Sequence, residues 1–297
     1  YSAGASITTG VENDLIGALA GDALTDADYN VAVGRSSLSA DTKGSRTTAL
    51  GHAALAVQNF TSSTDTYNTA VGFYAGVNVT TGIENVLIGG LAGDALTDAD
   101  FNVAIGVESL GTDTKGNKTV AIGGGALNAQ NFTSSTDTHN VAVGFHAGND
   151  VTTGIKNTMI GNLSGDKLTD ADFNTAVGYG SLSEDIQGSR STAIGAFALE
   201  AQAFTSATNA YNVAVGYGAG DTITTGNGNT IVGSLAGTSL TTGTDNIFIG
   251  KNSASNCTQA GGNVIIGDSD GQSSVINHQI IIGNSVTGVG QDNFTFG

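Results

Sequence analysis

With 297 residues, 45 glycines, no proline, no tryptophan and a formal charge of −17, the chain is unlike an ordinary pair of globular domains and closer to a β-rich repeat protein. The surplus of acidic groups repels the phosphates of nucleic acid and the anionic face of a membrane, so neither is expected as a partner. A lone cysteine, Cys257, rules out an internal disulfide framework, no CxxC pair or Cys/His cluster offers a zinc site, and neither an apolar run of about 18 residues nor a basic-then-apolar leader is present.

The chain opens with YSAGASITTGVEN at 1–13, which aligns with FYAGVNVTTGIEN at 73–85. Tyr1 is therefore expected to enter mid-coil, as part of a longer fibre. From there the pattern Asn-x-apolar-apolar-Gly recurs, closing on Gly17, Gly34, Gly51, Gly72, Gly89, Gly106, Gly123, Gly144, Gly161, Gly178, Gly195, Gly216, Gly233, Gly250, Gly267 and Gly283, and once more on Gly297. Three steps of 17 and one of 21 make a super-repeat of 72 residues, so that GDALTDADYNVAVG at 21–34 returns at 93–106 and 165–178. A period near or below about twenty residues suits one turn of a β-solenoid, where each coil stacks on its neighbours to bury its apolar face. The expected fold is all-β: a parallel β-solenoid or β-roll forming a continuous shaft over 1–283. Its super-repeats run over about 13–84, 85–156 and 157–228, with a degenerate one at 229–283 and a transition to a further segment at 284–297.

Within each coil the stretch before the glycine, such as NVAVG at 30–34, NTAVG at 68–72, NVLIG at 85–89 or NVIIG at 263–267, predicts a short strand. Two neighbouring positions are apolar in every copy, so both strand faces need cover: one from the coil interior, the other from a second layer or a second chain. Asparagine opens most strands, at Asn13, Asn30, Asn68, Asn85, Asn102, Asn140, Asn157, Asn174, Asn212, Asn229, Asn246 and Asn263, with Thr47, Thr119 and Ser191 in the third coil of each super-repeat. These side chains bond locally to backbone at turns, and stacked amides bond to the coils on either side, which makes the asparagines a structural ladder. The closing glycines are likewise architectural. Ala or Ser three residues after each glycine, as at Ala20, Ser37, Ala54 and Ala75, predicts a second, weaker strand in close packing. The four extra residues of every fourth coil fall in 58–68, 130–140 and 202–212, expected as longer loops on one edge.

The strings NTAVGFYAG at 68–76, NVAIGVESL at 102–110, NVAVGFHAG at 140–148 and NTAVGYGSL at 174–182 resemble the [NS]-x-A-[VI]-G-x-x-A repeats of trimeric autotransporter adhesin heads and of bacteriophage tail-fibre shafts. The adhesin likeness implies a homotrimer of left-handed parallel β-rolls that binds surfaces outside the cell. Coils of 17 and 21 residues exceed those usual in adhesin heads, and longer coils suit the phage-type shaft. That resemblance implies a homotrimeric structural protein of the virion tail fibre, joined to other fibre or virion proteins and meeting a host receptor or glycan through a tip outside this segment. The alternative is a bacterial surface adhesin whose loops at 58–67, 130–139 and 202–211 bind ligand directly.

Chemistry is sought first in the recurring aspartates: Asp22, Asp26 and Asp28, then Asp94, Asp98 and Asp100, then Asp166, Asp170 and Asp172. Oxygen ligands crowded on one loop suit Ca²⁺, and all three positions turn to threonine together at Thr238, Thr242 and Thr244. A solvated acidic turn diverging in the same way accounts for the pattern equally, and no EF-hand or GGxGxD spacing supports the ion. Calcium is thus the one candidate cofactor. No enzyme activity is expected: carboxylate pairs suited to a polysaccharide depolymerase are repeated without a distinct cleft, and His52, His139, His146 and His278 lack a nucleophile elbow. Threonines at 80–81, 152–153 and 224–225 recur once per four coils, too sparsely for an ice-binding array, and sequons at Asn59 and Asn131 matter only in a glycosylating host.

Overall fold

A computed structural model describes residues 2–270 and 277–297; Tyr1 and residues 271–276, the latter within the degenerate super-repeat, lie outside the described residues. The chain is an all-β parallel solenoid with no helix among the described residues, and it divides into two compact units, Tyr1–Thr153 and Gly154–Gly297. In the first unit the strands Asp14–Ile16, Val31–Val33, Thr48–Leu50, Thr69–Val71, Val86–Ile88, Val103–Ile105, Val120–Ile122 and Val141–Val143 pair in parallel, each with the next in sequence. In the second, Thr158–Ile160, Thr175–Val177, Thr192–Ile194, Val213–Val215, Thr230–Val232, Ile247–Ile249, Val264–Ile266, Ile280–Ile282 and Phe294–Phe296 do the same. The register aligns equivalent residues of successive coils, as in Ala32 opposite Ala49 and Thr48 opposite Thr69.

The strand ends where the closing glycine turns the chain. Gly51 has φ +140°, and a Cβ there would lie 2.2 Å from the carbonyl oxygen of Gly72. Two backbones therefore meet at a distance that excludes any side chain.

No strand follows directly after a closing glycine among the described residues, contrary to the expectation drawn from the small residues. The chain instead makes a tight turn. The second residue after the glycine takes a left-handed conformation, as at Leu19 (φ 61°), Leu91 (φ 60°) and Phe197 (φ 61°), and the third folds back, with Ala20 N–H bonded to the Gly17 carbonyl. Serine at that third place adds its hydroxyl to the same carbonyl, over 3.0 Å from Ser37 to Gly34 and 3.0 Å from Ser109 to Gly106. The side chain must be small because it lies inside the coil: Ala20, Ser37, Ala54 and Ala75 are fully buried.

Side chains at the middle of each strand form one wall of the core, and the opposite wall follows a rule. Coils with glycine four residues after the closing glycine (Gly21, Gly76, Gly93, Gly165) place an aliphatic residue three positions later, at Leu24, Val79, Leu96 and Leu168. Coils with leucine at the first of these places (Leu38, Leu55, Leu110, Leu127, Leu182, Leu199) carry Asp or Gln at the second: Asp41, Gln58, Asp113, Gln130, Asp185 and Gln202, all fully buried. Size explains the exchange. Leu87, bulkier than the alanine usual at mid-strand, reaches to within 2.6 Å of where a Cβ on Gly76 would stand and 2.7 Å of one on Gly93, so the neighbouring place must be empty.

The glycine contact is testable by a matched pair in the first unit. Gly51→Ala should cost about 2 kcal/mol or more in urea unfolding, through left-side backbone strain and the clash with Gly72. Gly90→Ala, whose Cβ would meet nothing nearer than the Phe73 carbonyl at 4.0 Å, should stay within about 0.5 kcal/mol of the parent.

Candidate functional site

Three sets of residues recur with the coil: the asparagine ladder, the aspartates of the acidic passages and the outer face of the sheets. Each asparagine holds two neighbouring coils. The Asn30 amide N–H donates to Asn13 Oδ1 over 2.9 Å, Asn30 Oδ1 in turn accepts from Thr47 N–H over 2.9 Å, and Asn30 Nδ2 donates to the Gly44 carbonyl over 2.9 Å. Asn68 to Asn85 to Asn102 to Thr119 repeats the chain of bonds, and so does the second unit from Asn157 through Asn174 to Ser191 and from Asn212 through Asn229 and Asn246 to Asn263. The desolvation of these amides is offset by hydrogen bonds to main-chain and side-chain groups that would otherwise be orphaned. The closing glycines stack alongside, Gly34 N–H reaching the Ile16 carbonyl and Gly51 N–H the Val33 carbonyl at 2.8 Å.

Thr47, Thr119 and Ser191 interrupt the asparagines for a reason that lies in residues the sequence reading passed over. Asp41 Oδ1 accepts the N–H groups of Gly44 and Phe60 at 3.0 Å each, and its Oδ2 accepts from Gln58 Nε2 at 2.7 Å. Gln58 Nε2 also reaches Thr47 Oγ1, which shares a proton with Thr66 Oγ1 at 2.7 Å, while Gln58 Oε1 accepts from Asn68 at 2.8 Å. Asp113, Gln130, Thr119, Thr138 and Asn140 form the same network, and Asp185, Gln202, Ser191 and Asn212 form it in the second unit, where Ala210 replaces the second threonine. At these places the glutamine reaches to a hydroxyl, Gln58 Nε2 lying 3.1 Å from Thr47 Oγ1 and Gln130 Nε2 3.1 Å from Thr119 Oγ1. The long segments are thereby tied in: Phe60, Phe132 and Phe204 are buried, and Gly44–Ser45 pairs in parallel with Thr64–Asp65, Gly116–Asn117 with Thr136–Asp137, and Gly188–Ser189 with Thr208–Asn209. Burial is the main cause that lifts the Asp185 carboxyl above the ordinary range, opposed by the Gln202 and backbone hydrogen bonds.

The nine aspartates of the acidic passages have separate tasks. Asp28, Asp100 and Asp172 each accept the backbone N–H of the coil before, from Val11, Ile83 and Ile155 at 2.8 Å. Asp26 and Asp98 lie beside Lys43 (3.8 Å) and Lys115 (3.5 Å) and accept from Thr25 and Thr97; Asp170 accepts from Thr169. Asp22, Asp94 and Asp166 stand at the start of each passage, and burial raises the Asp94 carboxyl. Burial likewise raises Asp100, with the Ile83 hydrogen bond opposing it and Asp98 adding to it. Among the described residues no three His, Cys, Asp or Glu side chains gather in a group able to hold a metal ion.

The outer face of the sheets is apolar at the third residue of every strand. In the first unit the column runs Ile16, Val33, Leu50, Val71, Ile88, Ile105, Ile122, Val143, and none of these is buried; Ile16 is 65% exposed, Leu50 44% and Ile88 37%. The second unit carries Ile160, Val177, Ile194, Val215, Val232, Ile249, Ile266, Ile282 and Phe296 in the same register, again without a buried member.

No protein-family model matches the chain, and no curated protein matches it. The repetitive parallel solenoid is compatible with a fibrous structural protein.

Gln58→Leu keeps the volume but strips Asp41, Thr47 and Asn68 of a partner, and should lower the stability of the first unit by about 2–4 kcal/mol in urea titrations. The raised Asp185 gives a signed pH effect. Its folded carboxyl binds a proton more tightly than the unfolded reference near 3.9, so its contribution is fully present below about pH 4 and is lost as pH rises through the folded value. The stability difference between parent and Asp185→Asn, from melting curves at pH 4 to 7, should shift in the parent's favour toward the acid end.

Proposed function

We propose that this chain is a shaft segment of a bacteriophage tail fibre, three copies side by side, that extends and presents a receptor-binding tip lying outside the segment. The observation that carries the reading is the uninterrupted apolar column on the outer face of each unit's sheet. Aliphatic side chains repeated on every coil are a contiguous patch of a kind that isolated soluble chains rarely display, and a second copy with the same coil spacing would match it residue for residue. The resemblance of the Asn-x-Ala-Val/Ile-Gly repeats to fibre shafts supplies the number three. The function is mechanical: stacked amides and continuous backbone ladders resist bending, and the acidic surface keeps fibres apart. No catalytic role is proposed, and the aspartates are assigned to coil-to-coil hydrogen bonds and lysine pairs in place of calcium.

The adhesin alternative draws on the exposed Tyr67 and Tyr211 at the ends of the long segments. Burial of Phe60, Phe132 and Phe204 within those same segments favours their role as part of the coil.

Light scattering on the purified chain tests the proposal. The expected mass is that of three chains, unchanged by a calcium chelator because Asp28, Asp100 and Asp172 already bind backbone N–H groups. Leu50→Glu with Ile88→Glu should release folded monomers with the parent's circular dichroism. A parent that is monomeric at micromolar concentration would overturn the fibre reading.

A further inference from the structure

Two further columns border the outer face of each strand: the residue before the opening asparagine, as at Tyr29, and the residue after the closing glycine, as at Arg35. Both columns change character every second coil. In the first unit Tyr67 shares its coil with Phe73, Phe101 with Val107 and His139 with Phe145. In the second, Phe173 shares one with Tyr179 and Tyr211 with Tyr217. The phenylalanines, tyrosines and Val107 among them are 42% to 60% exposed. The coils between carry a long charged side chain in the first column and a short residue in the second, as in Glu84 with Gly90, Lys118 with Gly124 and Arg190 with Ala196. Between Gly17 and Gly216 the rule lapses at one coil, where Arg46 is paired with His52, whose ring stacks on Phe73 at 5.5 Å.

Contacts within one chain account for the first column and leave the second without a cause. In the first, charged side chains lie over the ring of the adjoining coil: Arg46 stands 5.0 Å from the Tyr29 centroid, and Lys156 and Arg190 stand 5.0 and 4.8 Å from that of Phe173. The glycines of the second column answer to nothing in their own chain. A Cβ on Gly90 would meet only the Phe73 carbonyl at 4.0 Å, one on Gly124 would make an ordinary contact with the Phe145 ring at 3.6 Å, and neither residue has a positive φ. Glycine that the chain's own backbone does not require marks a surface approached closely from outside. Farther along the second unit the two columns turn to Asp245 and Lys251 on one coil, opposite charges neither of which forms an ion pair among the described residues.

We propose that the first border column of one copy docks on the second border column of the next copy, at the same level and in the same direction, so that the copies close head to tail around the fibre axis. The inference rests on the trimeric fibre reading and states which surfaces meet. Level docking sets ring against ring, lays each long charged side chain over a short residue of the neighbour, and brings Asp245 to Lys251. A slip of one coil would set rings against glycines and charged side chains against rings. A two-fold contact would bring the first column to itself and leave the glycines of the second facing one another. A sugar chain laid along the first column fits less well, because cations already cover faces of Tyr29 and Phe173 on which it would stack.

Cross-linking of the full chain with dibromobimane, which bridges only closely adjoining thiols, tests the pairing. Glu84 and Gly90 stand at opposite borders of one strand, roughly 15–20 Å apart along extended backbone and beyond bridging range within a copy. Cys257 is buried and stays out of the reaction. Glu84→Cys combined with Gly90→Cys should give, on denaturing gels, a covalent species of the mass that light scattering finds for the parent, and neither single variant should be linked. Gly90→Lys, set against Glu84 of the next copy, should keep the assembly together to at least threefold greater dilution at low salt than Gly90→Glu, with both variants matching the parent by circular dichroism. A monomeric parent would defeat the fibre reading and this inference with it. A trimeric parent whose double variant stays unlinked, with thiols as reactive as in the unfolded chain, would leave the columns free for another ligand and overturn this inference alone. So would covalent dimers of a single variant, or equal dilution behaviour of Gly90→Lys and Gly90→Glu.

Discussion

Everything in the fold depends on how closely one closing glycine lies under the next. With the Gly72 carbonyl only 2.2 Å from where a Gly51 Cβ would stand, the backbone of one coil is pressed against that of its neighbour at a fixed point in every turn. That contact sets the register of the strands, and the register decides the rest. Equivalent side chains then stack on equivalent side chains, and an asparagine at the strand's start bonds both to the coil before and to the coil after. A coil longer by four residues is tolerated only because its excess leaves and rejoins away from this line, through the parallel pairing of Gly44–Ser45 with Thr64–Asp65.

The interior solves a packing problem twice. Where the strand carries leucine, glycine faces it and the next apolar residue stands further along; where leucine occupies the facing position, a buried Asp or Gln takes the further place. A carboxylate in a core is costly unless its lone pairs are filled, and here backbone N–H groups and a glutamine fill them. The polar coils also anchor the long segments, whose phenylalanines close over the network.

Much of this was legible in the sequence, for a physical reason: stacking forces like onto like, so the coil period, the glycines and the strand positions are written plainly in the repeat. Leu19 and its equivalents were misread because a left-handed leucine is invisible to propensity; the small residue after it looked like strand and proved to be the inside of a turn. Asp41 and Gln58 were missed because DTKG and QNF look like loop punctuation, and polar residues are assumed to face water. What exposes them is the exchange of Gly-x-x-Leu for Leu-x-x-Asp/Gln between coils, a pattern that becomes meaningful once the core walls are known. Asp28 of the acidic passage accepts a neighbouring coil's N–H, a bond that composition cannot show because the register between coils decides it.

The bonds from Asp41 to Gln58 and Phe60, and from Gln58 to Asn68, join three successive coils that differ in kind. Excising or inserting one 17-residue coil between them would leave a buried carboxylate facing leucine. At this place the chain can therefore change its reach only in whole blocks that carry aspartate, glutamine and asparagine together, whereas the coils closing on Gly233, Gly250 and Gly267 follow one another without such a set. Unequal recombination through a polar coil is filtered in the same way, since only an exchange that moves aspartate, glutamine and asparagine together keeps the buried carboxylate satisfied.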